Sequence, residues 1–177
     1  MNRHLPRATA AALVASTAAF AQAPTSPAAN PLAPMAFLAG RCFKSPTVEG
    51  KDTDEHCFQW LYEGKVLRDV HTVRGAKHPD LVGESTYYWD SAVNKIAYLY
   101  IEDQGGYMIG NVEPVEGMLT FPATPFIIGG RAMVLRTRWT ELPDGYEAWA
   151  EFEGKDKQGK SVWATLFKVK MLRSSVR

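Results

Sequence analysis

Three charged or titratable side chains near the middle of the chain are the first candidates for chemistry: Arg68, His71 and Glu84. A histidine with a glutamate can act as an acid–base pair, and an arginine can stabilise an anion in the same pocket. Arg136, later in the chain, is a second candidate for the anion-stabilising role. The spacing of these residues matches no catalytic motif, so whether the protein is an enzyme stays open. His71 serves equally well as a ligand, a general base or a hydrogen-bonding group.

Four aromatic side chains, Tyr88, Tyr98, Tyr100 and Trp139, are candidates for the wall of a binding pocket. Tyrosine and tryptophan offer a large apolar face with a hydrogen-bonding tip. Together with the two arginines and the histidine as polar anchors, they predict a site for a small, largely apolar molecule with one polar or anionic group. An arginine inside must meet a carboxylate such as Glu84 or an anionic ligand, because burying it unpaired is costly.

Several sequence signatures of enzymes and metal sites are absent. The sequence contains no G-x-S-x-G and no G-x-G-x-x-G, the common serine-hydrolase and dinucleotide signatures. It also lacks the C-x-x-C and H-x-x-x-H spacings of zinc sites. The acidic stretch DTDEH, residues 52–56, lacks the spacing and the glycine of a calcium loop, which favours a solvated acidic loop over a cation site. No cofactor and no metal ion are therefore expected.

The first residues predict export. Residues 1–21 carry Arg3, His4 and Arg7 near their start, followed by an apolar, alanine-rich run. They end in Ala-Phe-Ala, a small-x-small pattern for cleavage before Gln22. The apolar run is too short for a membrane span. No cysteine lies near the cleavage point. We therefore expect a periplasmic or secreted protein that is not a lipoprotein and has no transmembrane segment in its mature chain.

The mature chain is expected to form one domain with a balanced charge. Removing 21 of the 177 residues leaves 156, and the loss of two arginines leaves 18 Lys and Arg against 19 Asp and Glu. Charges of both signs are interspersed, so no nucleic-acid partner is expected, and the oligomeric state stays open. The proline-rich residues 22–34 predict a flexible lead-in, and residues 35–173 a single barrel domain.

The only two cysteines of the chain, Cys42 and Cys57, predict one disulfide bond. In an exported chain they meet an oxidising environment, and no third cysteine competes for pairing. A catalytic thiol would need a setting that lowers its pKa. The neighbouring His56 does not supply one by itself, because neighbours on a strand point to opposite faces.

Short alternating segments separated by polar turns make up the rest of the chain. They predict nine strands and a candidate tenth at the start, at residues 41–45, 56–62, 65–73, 84–90, 95–101, 105–112, 117–122, 132–140, 145–153 and 161–171. No long helical period separates them. The expected fold class is all-β: an antiparallel up-and-down barrel of about eight to ten strands, with a sandwich as the alternative. A short helical turn is expected before Gly40.

Two features of this pattern concern the interior of the barrel. The middle strands carry polar groups on both faces, which fits either a wet interior or a sheet with tyrosines on its solvent face. The segment FPATPFIIGG, residues 121–130, contains two prolines, an apolar triplet and a Gly-Gly pair. It predicts either a lid over the barrel mouth or a strand edge packed on the core.

The segment FLAGRCF, residues 37–43, followed by an antiparallel meander, resembles the opening of lipocalin-like (calycin) barrels, particularly small exported bacterial proteins of uncharacterised function. Those barrels open with an LAG-x-W segment, in which glycine turns the chain into the first strand and tryptophan plugs the barrel end. Gly40 matches the glycine, and Cys42 stands in place of the tryptophan. The resemblance implies that a disulfide to Cys57 pins the first strand to the second.

The resemblance also bears on haem binding as a function. Related haem-binding barrels use a histidine late in the chain, whereas no histidine follows His78 here, so haem is not expected. Three functions stay open. The first is binding of a small apolar molecule inside the barrel. The second is a structural or protein-interaction role, with a filled barrel and an exposed apolar patch at residues 125–130. The third is an enzyme that uses a barrel pocket. The volume of the interior distinguishes them.

Overall fold

The computed structural model describes residues 29–46, 52–75, 77 and 79–174, and these form an all-β barrel with two 3-10 turns. The turns are Ala33–Met35 and Tyr62–Gly64. The strands are β1 Arg41–Lys44, β2 Thr53–Leu61, β3 Val66–Arg74, β4 Leu81–Asp90, β5 Lys95–Glu102, β6 Tyr107–Val115, β7 Met118–Ile128, β8 Arg131–Leu142, β9 Gly145–Lys155 and β10 Ser161–Ser174. The predicted segments and the tenth candidate all correspond to strands.

Each strand pairs antiparallel with its neighbours in the sequence, and β1 closes the barrel by pairing with β10. In that closing contact Cys42 lies opposite Ser174, and Lys44 lies opposite Leu172. This confirms the predicted up-and-down barrel and removes the sandwich alternative. The architecture is compatible with a lipocalin-like fold.

The segment at residues 121–130 belongs to β7 and its following turn, which agrees with the strand-edge alternative and removes the lid alternative. The strand runs on to Ile128, and Gly129 and Gly130 then form the turn with φ angles of 54° and 73°. The predicted strand at residues 117–122 is therefore too short at its C-terminal end, and the observed strand contains two prolines, which cannot donate to a strand ladder. An irregularity in the pairing with β8, between Phe121 and Thr124, accommodates Pro122.

The N-terminal turn fills one end of the barrel. Leu32, Met35 and Leu38 are fully buried there and belong to the same apolar cluster as Phe43. Gly40 has a φ of +70°, which favours glycine, and its backbone N–H donates to the carbonyl of Phe58 at 2.9 Å. The predicted role of Gly40 in turning the chain into β1 is therefore confirmed.

The predicted disulfide between Cys42 and Cys57 is present. The two residues lie directly opposite each other on β1 and β2, so the bond ties these strands together as expected. It borders a hollow on the outer face beside Arg68. It therefore does not plug the barrel end, a role that the buried side chains of the N-terminal turn fulfil instead.

Replacing both cysteines with serine should lower the free energy of unfolding by about 3 kcal/mol, because the crosslink limits the unfolded chain. The bond joins residues 15 positions apart. Urea denaturation of the variant and the oxidised protein measures the difference. Thiol titration of the denatured, unreduced protein should detect no free thiol, and finding two would contradict the pairing.

No helix in the described ranges is long and apolar enough to span a membrane. The predicted signal peptide at residues 1–21 and the histidine at position 78 lie outside the described residues. Export therefore stays a prediction.

Candidate functional site

Two paired strands bring four titratable side chains into the barrel. Asp54 and His56 lie on the inner face of β2, and Asp69 and His71 on the inner face of β3. His56 and His71 are direct cross-strand partners. Their rings stack with centroids 4.8 Å apart and planes inclined by 23°. The alternation of side chains along the two strands thus gathers these groups in one place.

These side chains belong to one continuous hydrogen-bonded series, whose members are, in order, Asp69, His56, Asp54, His71 and Tyr100. His56 Nδ1 bonds Asp69 Oδ2 at 2.7 Å, and His56 Nε2 bonds Asp54 Oδ2 at 3.1 Å. His71 Nδ1 bonds Asp54 Oδ1 at 3.2 Å, and His71 Nε2 bonds the Tyr100 hydroxyl at 3.0 Å. Every ring nitrogen of the two histidines therefore has a partner.

Burial and neighbouring charges shift the pKa values of three members of this series. Burial alone would lower the pKa of His56, but the Asp69 and Asp54 carboxylates outweigh it and raise the pKa to about 10. Burial by itself would raise the pKa of Asp54, but the hydrogen bonds of this carboxyl to His56 and His71 hold its pKa below the ordinary value. Burial, with nearby carboxylates, raises the pKa of Tyr100, so its hydroxyl stays protonated. Two carboxylates thus face one imidazolium at His56.

A cavity of about 150 Å³ lies beside this series. Its remaining wall is mainly aromatic and apolar and includes Tyr87, Tyr98, Phe121, Trp139, Tyr146 and Met171. The Trp139 ring lies 4.7 Å from that of Phe121 and 5.1 Å from that of Tyr146. The interior is therefore largely filled by rings, with one small space between them and the charged groups.

Two residues of this wall, Asp69 and Tyr146, each carry a buried polar atom without a partner in the described ranges. Among the described residues, none forms a hydrogen bond with Asp69 Oδ1 or with the Tyr146 hydroxyl. The exposed fraction is 1% for Asp69 and 0% for Tyr146. An unpaired buried polar group is costly, so such atoms in a cavity wall indicate a binding role.

Half of the residues predicted for the site lie on this wall: His71, Tyr98, Tyr100 and Trp139. The other half, Arg68, Glu84, Tyr88 and Arg136, lie on the outer face; for Arg136 the alternation along its strand already allowed this position. Arg68 pairs there with Glu84 at 2.6 Å.

The outward position of Arg136 is equally well defined. Its guanidinium pairs with Glu151 at 2.7 Å and lies over the ring of Trp163 at 4.2 Å. Tyr88 is 37% exposed, whereas the neighbouring Tyr87 points inward. The alternation of side chains along a strand divides them into two faces but does not tell which face points into the barrel. A shift of the strand register by one residue exchanges the inner and the outer face.

Sequence reasoning missed Asp54, His56, Asp69 and Tyr146. The expected acidic loop at residues 52–56 is wrong for most of its length, because β2 begins at Thr53. A usable signal existed, since D-x-H occurs at residues 54–56 and again at 69–71. If the hairpin turn is centred between residues 63 and 64, the strand before it pairs with the strand after it so that position 56 lies opposite position 71. This is the register that the structure has.

Residues 154–161 read GKDKQGKS, which matches the P-loop pattern G-x-x-x-x-G-K-[ST]. A P-loop lies between a strand and a helix whose N-terminus binds phosphate. Here the stretch is the turn of the β9–β10 hairpin, in which the Asp156 side chain accepts hydrogen bonds from the backbone of Gln158 and Lys160. Because β10 begins at Ser161, the match does not indicate nucleotide binding.

No family model matches the chain, and no curated protein matches it.

Proposed function

We propose that the protein binds a small, uncharged molecule, about the size of one benzene ring, through a hydroxyl or amine group inside the barrel. One observation carries the proposal. Asp69 Oδ1 and the Tyr146 hydroxyl are buried and lack a partner within the described part of the chain, and both residues line the same cavity.

These two atoms favour a ligand that can donate a hydrogen bond. Asp69 Oδ1, as a carboxylate oxygen, accepts one. Burial and the nearby Asp69 raise the pKa of Tyr146, so its hydroxyl stays protonated and can donate. A ligand hydroxyl can therefore donate to Asp69 and accept from Tyr146, which removes the cost of both unpaired groups.

The cavity limits the size of the ligand. Apolar cavities of about 150 Å³ take up one benzene-sized molecule, whereas sites for drug-sized ligands measure about 300–1,000 Å³. The cavity here is about 150 Å³. A single aromatic ring that packs against Trp139 and Phe121 fits this volume, and a long acyl chain does not.

An anionic ligand has no support from the interior, although the sequence suggested one. No lysine or arginine of the described ranges lines the cavity, while Asp54 and Asp69 do. Arg68 and Arg136, the expected anion anchors, are paired on the outer face. The site therefore favours a neutral donor over a carboxylate or phosphate.

A matched set of probes tests the proposal: phenol, toluene and benzoate, titrated into the metal-free protein with EDTA present and followed by amide NMR shifts. Phenol should bind at least about tenfold more tightly than toluene, because a hydrogen bond to a charged group contributes about 1.5–3 kcal/mol. Benzoate should not bind. Tyr146→Phe should weaken phenol binding, and Tyr88→Phe on the outer face should not.

Equal affinities for phenol and toluene would contradict the polar anchor. If no probe binds, the ligand-binding proposal fails and a protein-interaction role takes its place. The candidate surface would then be the exposed apolar residues of β5 and β6, because Phe126, Ile127 and Ile128 of the predicted patch at residues 125–130 are half-buried. These residues are Leu99, Ile101, Tyr107 and Ile109, with exposed fractions of 38%, 50%, 43% and 63%.

We also propose that this is an exported, lipocalin-like barrel of the periplasm or the medium. The pattern of residues 1–21 supports export, and the disulfide between Cys42 and Cys57 is compatible with it. N-terminal sequencing of protein from a cell-envelope fraction should begin at Gln22, and retention of Met1 would contradict export.

A further inference from the structure

We propose that Asp54, His56 and His71 form a binding site for one divalent transition-metal ion of the first row. One ligand atom from each residue lies within 4.8 Å of the other two. The three atoms are a carboxylate oxygen of Asp54, Nε2 of His56 and Nδ1 of His71. This inference uses the same cavity as the proposed function and goes beyond it, since it does not depend on a small molecule being bound.

The distances between the ligand atoms suit a metal site. Asp54 contacts His56 Nε2 at 3.1 Å and His71 Nδ1 at 3.2 Å. Metal–ligand bonds of about 2.0–2.2 Å place neighbouring ligand atoms roughly 3–3.5 Å apart. His56 Nε2 and His71 Nδ1 each bond one oxygen of the Asp54 carboxylate, so the three ligand groups are neighbours in space. A metal ion that binds between them takes the place of these hydrogen bonds, and any proton on a ligating nitrogen leaves to solvent.

The outer nitrogens of both histidines are held in the way that metal-binding histidines require. His56 Nδ1 bonds the buried Asp69 at 2.7 Å, and His71 Nε2 bonds the Tyr100 hydroxyl at 3.0 Å. Ligating histidines almost always bond a carboxylate, carbonyl or water through the second nitrogen, which fixes the ring orientation. Asp69 and Tyr100 are therefore positioning residues of the site.

The surroundings favour a cation and leave room for a further ligand. All three ligand residues line the cavity, as do Asp69 and Tyr146, each of which has a buried polar atom without a partner in the described part of the chain. Two imidazole nitrogens with one carboxylate suit zinc, iron or cobalt, whereas magnesium and calcium prefer oxygen ligands alone. Three protein ligands with an accessible side are typical of metal sites that bind a small molecule, and closed sites have four.

Metal titration tests the site directly. Chelator-treated protein is titrated with Zn²⁺ by calorimetry and with Co²⁺ by visible absorption. We expect one ion per chain, with a dissociation constant of about 1 µM or lower for Zn²⁺. Asp54→Asn and His71→Gln should each weaken binding at least about 100-fold, and Tyr100→Phe about 10-fold to 100-fold. Glu113→Gln is the control, because this glutamate pairs with Lys95 on the outer face, and it should bind as tightly as the parent protein.

Absence of binding at concentrations on the order of 100 µM would overturn the proposal. So would full affinity in both Asp54→Asn and His71→Gln, because the ion would then lie elsewhere. Circular dichroism shows whether each variant is folded. If the ligand variants do not fold, Tyr100→Phe decides through its Zn²⁺ affinity and its Co²⁺ spectrum, and an unchanged affinity and spectrum would count against the site. The phenol titration contains EDTA, so either proposal can fail without the other.

Discussion

Replacing Asp69 with asparagine should lower the free energy of unfolding by about 3–5 kcal/mol, the range seen when one partner of a buried ion pair is removed. Asp69 is 1% exposed, and its carboxylate accepts a hydrogen bond from His56 at 2.7 Å. The change would leave the imidazolium of His56 in the interior with Asp54 as its remaining carboxylate partner. Urea denaturation measures the loss.

A double-mutant cycle with His56→Gln isolates the contact from other effects. The double variant should be more stable than the sum of the single losses implies, by about 1.5 kcal/mol or more, because the residues interact directly. Additivity within about 0.5 kcal/mol would show that they do not interact. Glu113→Gln removes a carboxylate from an exposed pair with Lys95 at 3.0 Å and should cost less than about 1 kcal/mol.

Trp139→Ala should lower the free energy of unfolding by about 3–5 kcal/mol, because a large buried ring is lost from the centre of the interior. Trp139 is 8% exposed. Its ring lies within 6.4 Å of five others, those of His56, Phe58, Tyr87, Phe121 and Tyr146. Differential scanning calorimetry and urea denaturation measure the change.

Trp149→Ala is the matched control, since this tryptophan lies on the outer face of the barrel. Its ring packs against Arg138 at 4.0 Å and Lys168 at 5.0 Å. Removing it should cost about 1 kcal/mol, the contribution of a solvent-exposed cation–π contact. Equal losses for the two variants would contradict the central position of Trp139. If Trp139→Ala folds, its larger cavity should bind 2-naphthol, which the parent protein should exclude.

The barrel was predictable from the sequence because its turns and alternating segments are local signals. The polar turn GKDKQGK, for example, separates two alternating segments and indeed joins β9 to β10. The full length of β7 is not a local signal, because an irregular pairing with β8 accommodates Pro122 within the strand. The pairing of Cys42 with Cys57 followed from composition and the expected compartment alone.

The site was less predictable because it depends on which face of each strand points inward. Arg68 and His71 are three positions apart on one strand, so they cannot share a face, and the structure places His71 inside. The acidic composition of residues 52–56 favoured a loop, since buried carboxylates are rare without partners. The partners of Asp54 are two histidines, one of them 17 positions away, and only the closed hairpin brings them together.

A crystal structure of the protein with phenol bound tests whether the barrel interior is a binding site. We expect the phenol ring in the cavity beside Trp139, with its oxygen about 2.6–3.2 Å from Asp69 Oδ1 and from the Tyr146 hydroxyl. A structure in which phenol lies only on the outer surface, or in which side chains fill the interior beside Asp69, would contradict ligand binding in the barrel.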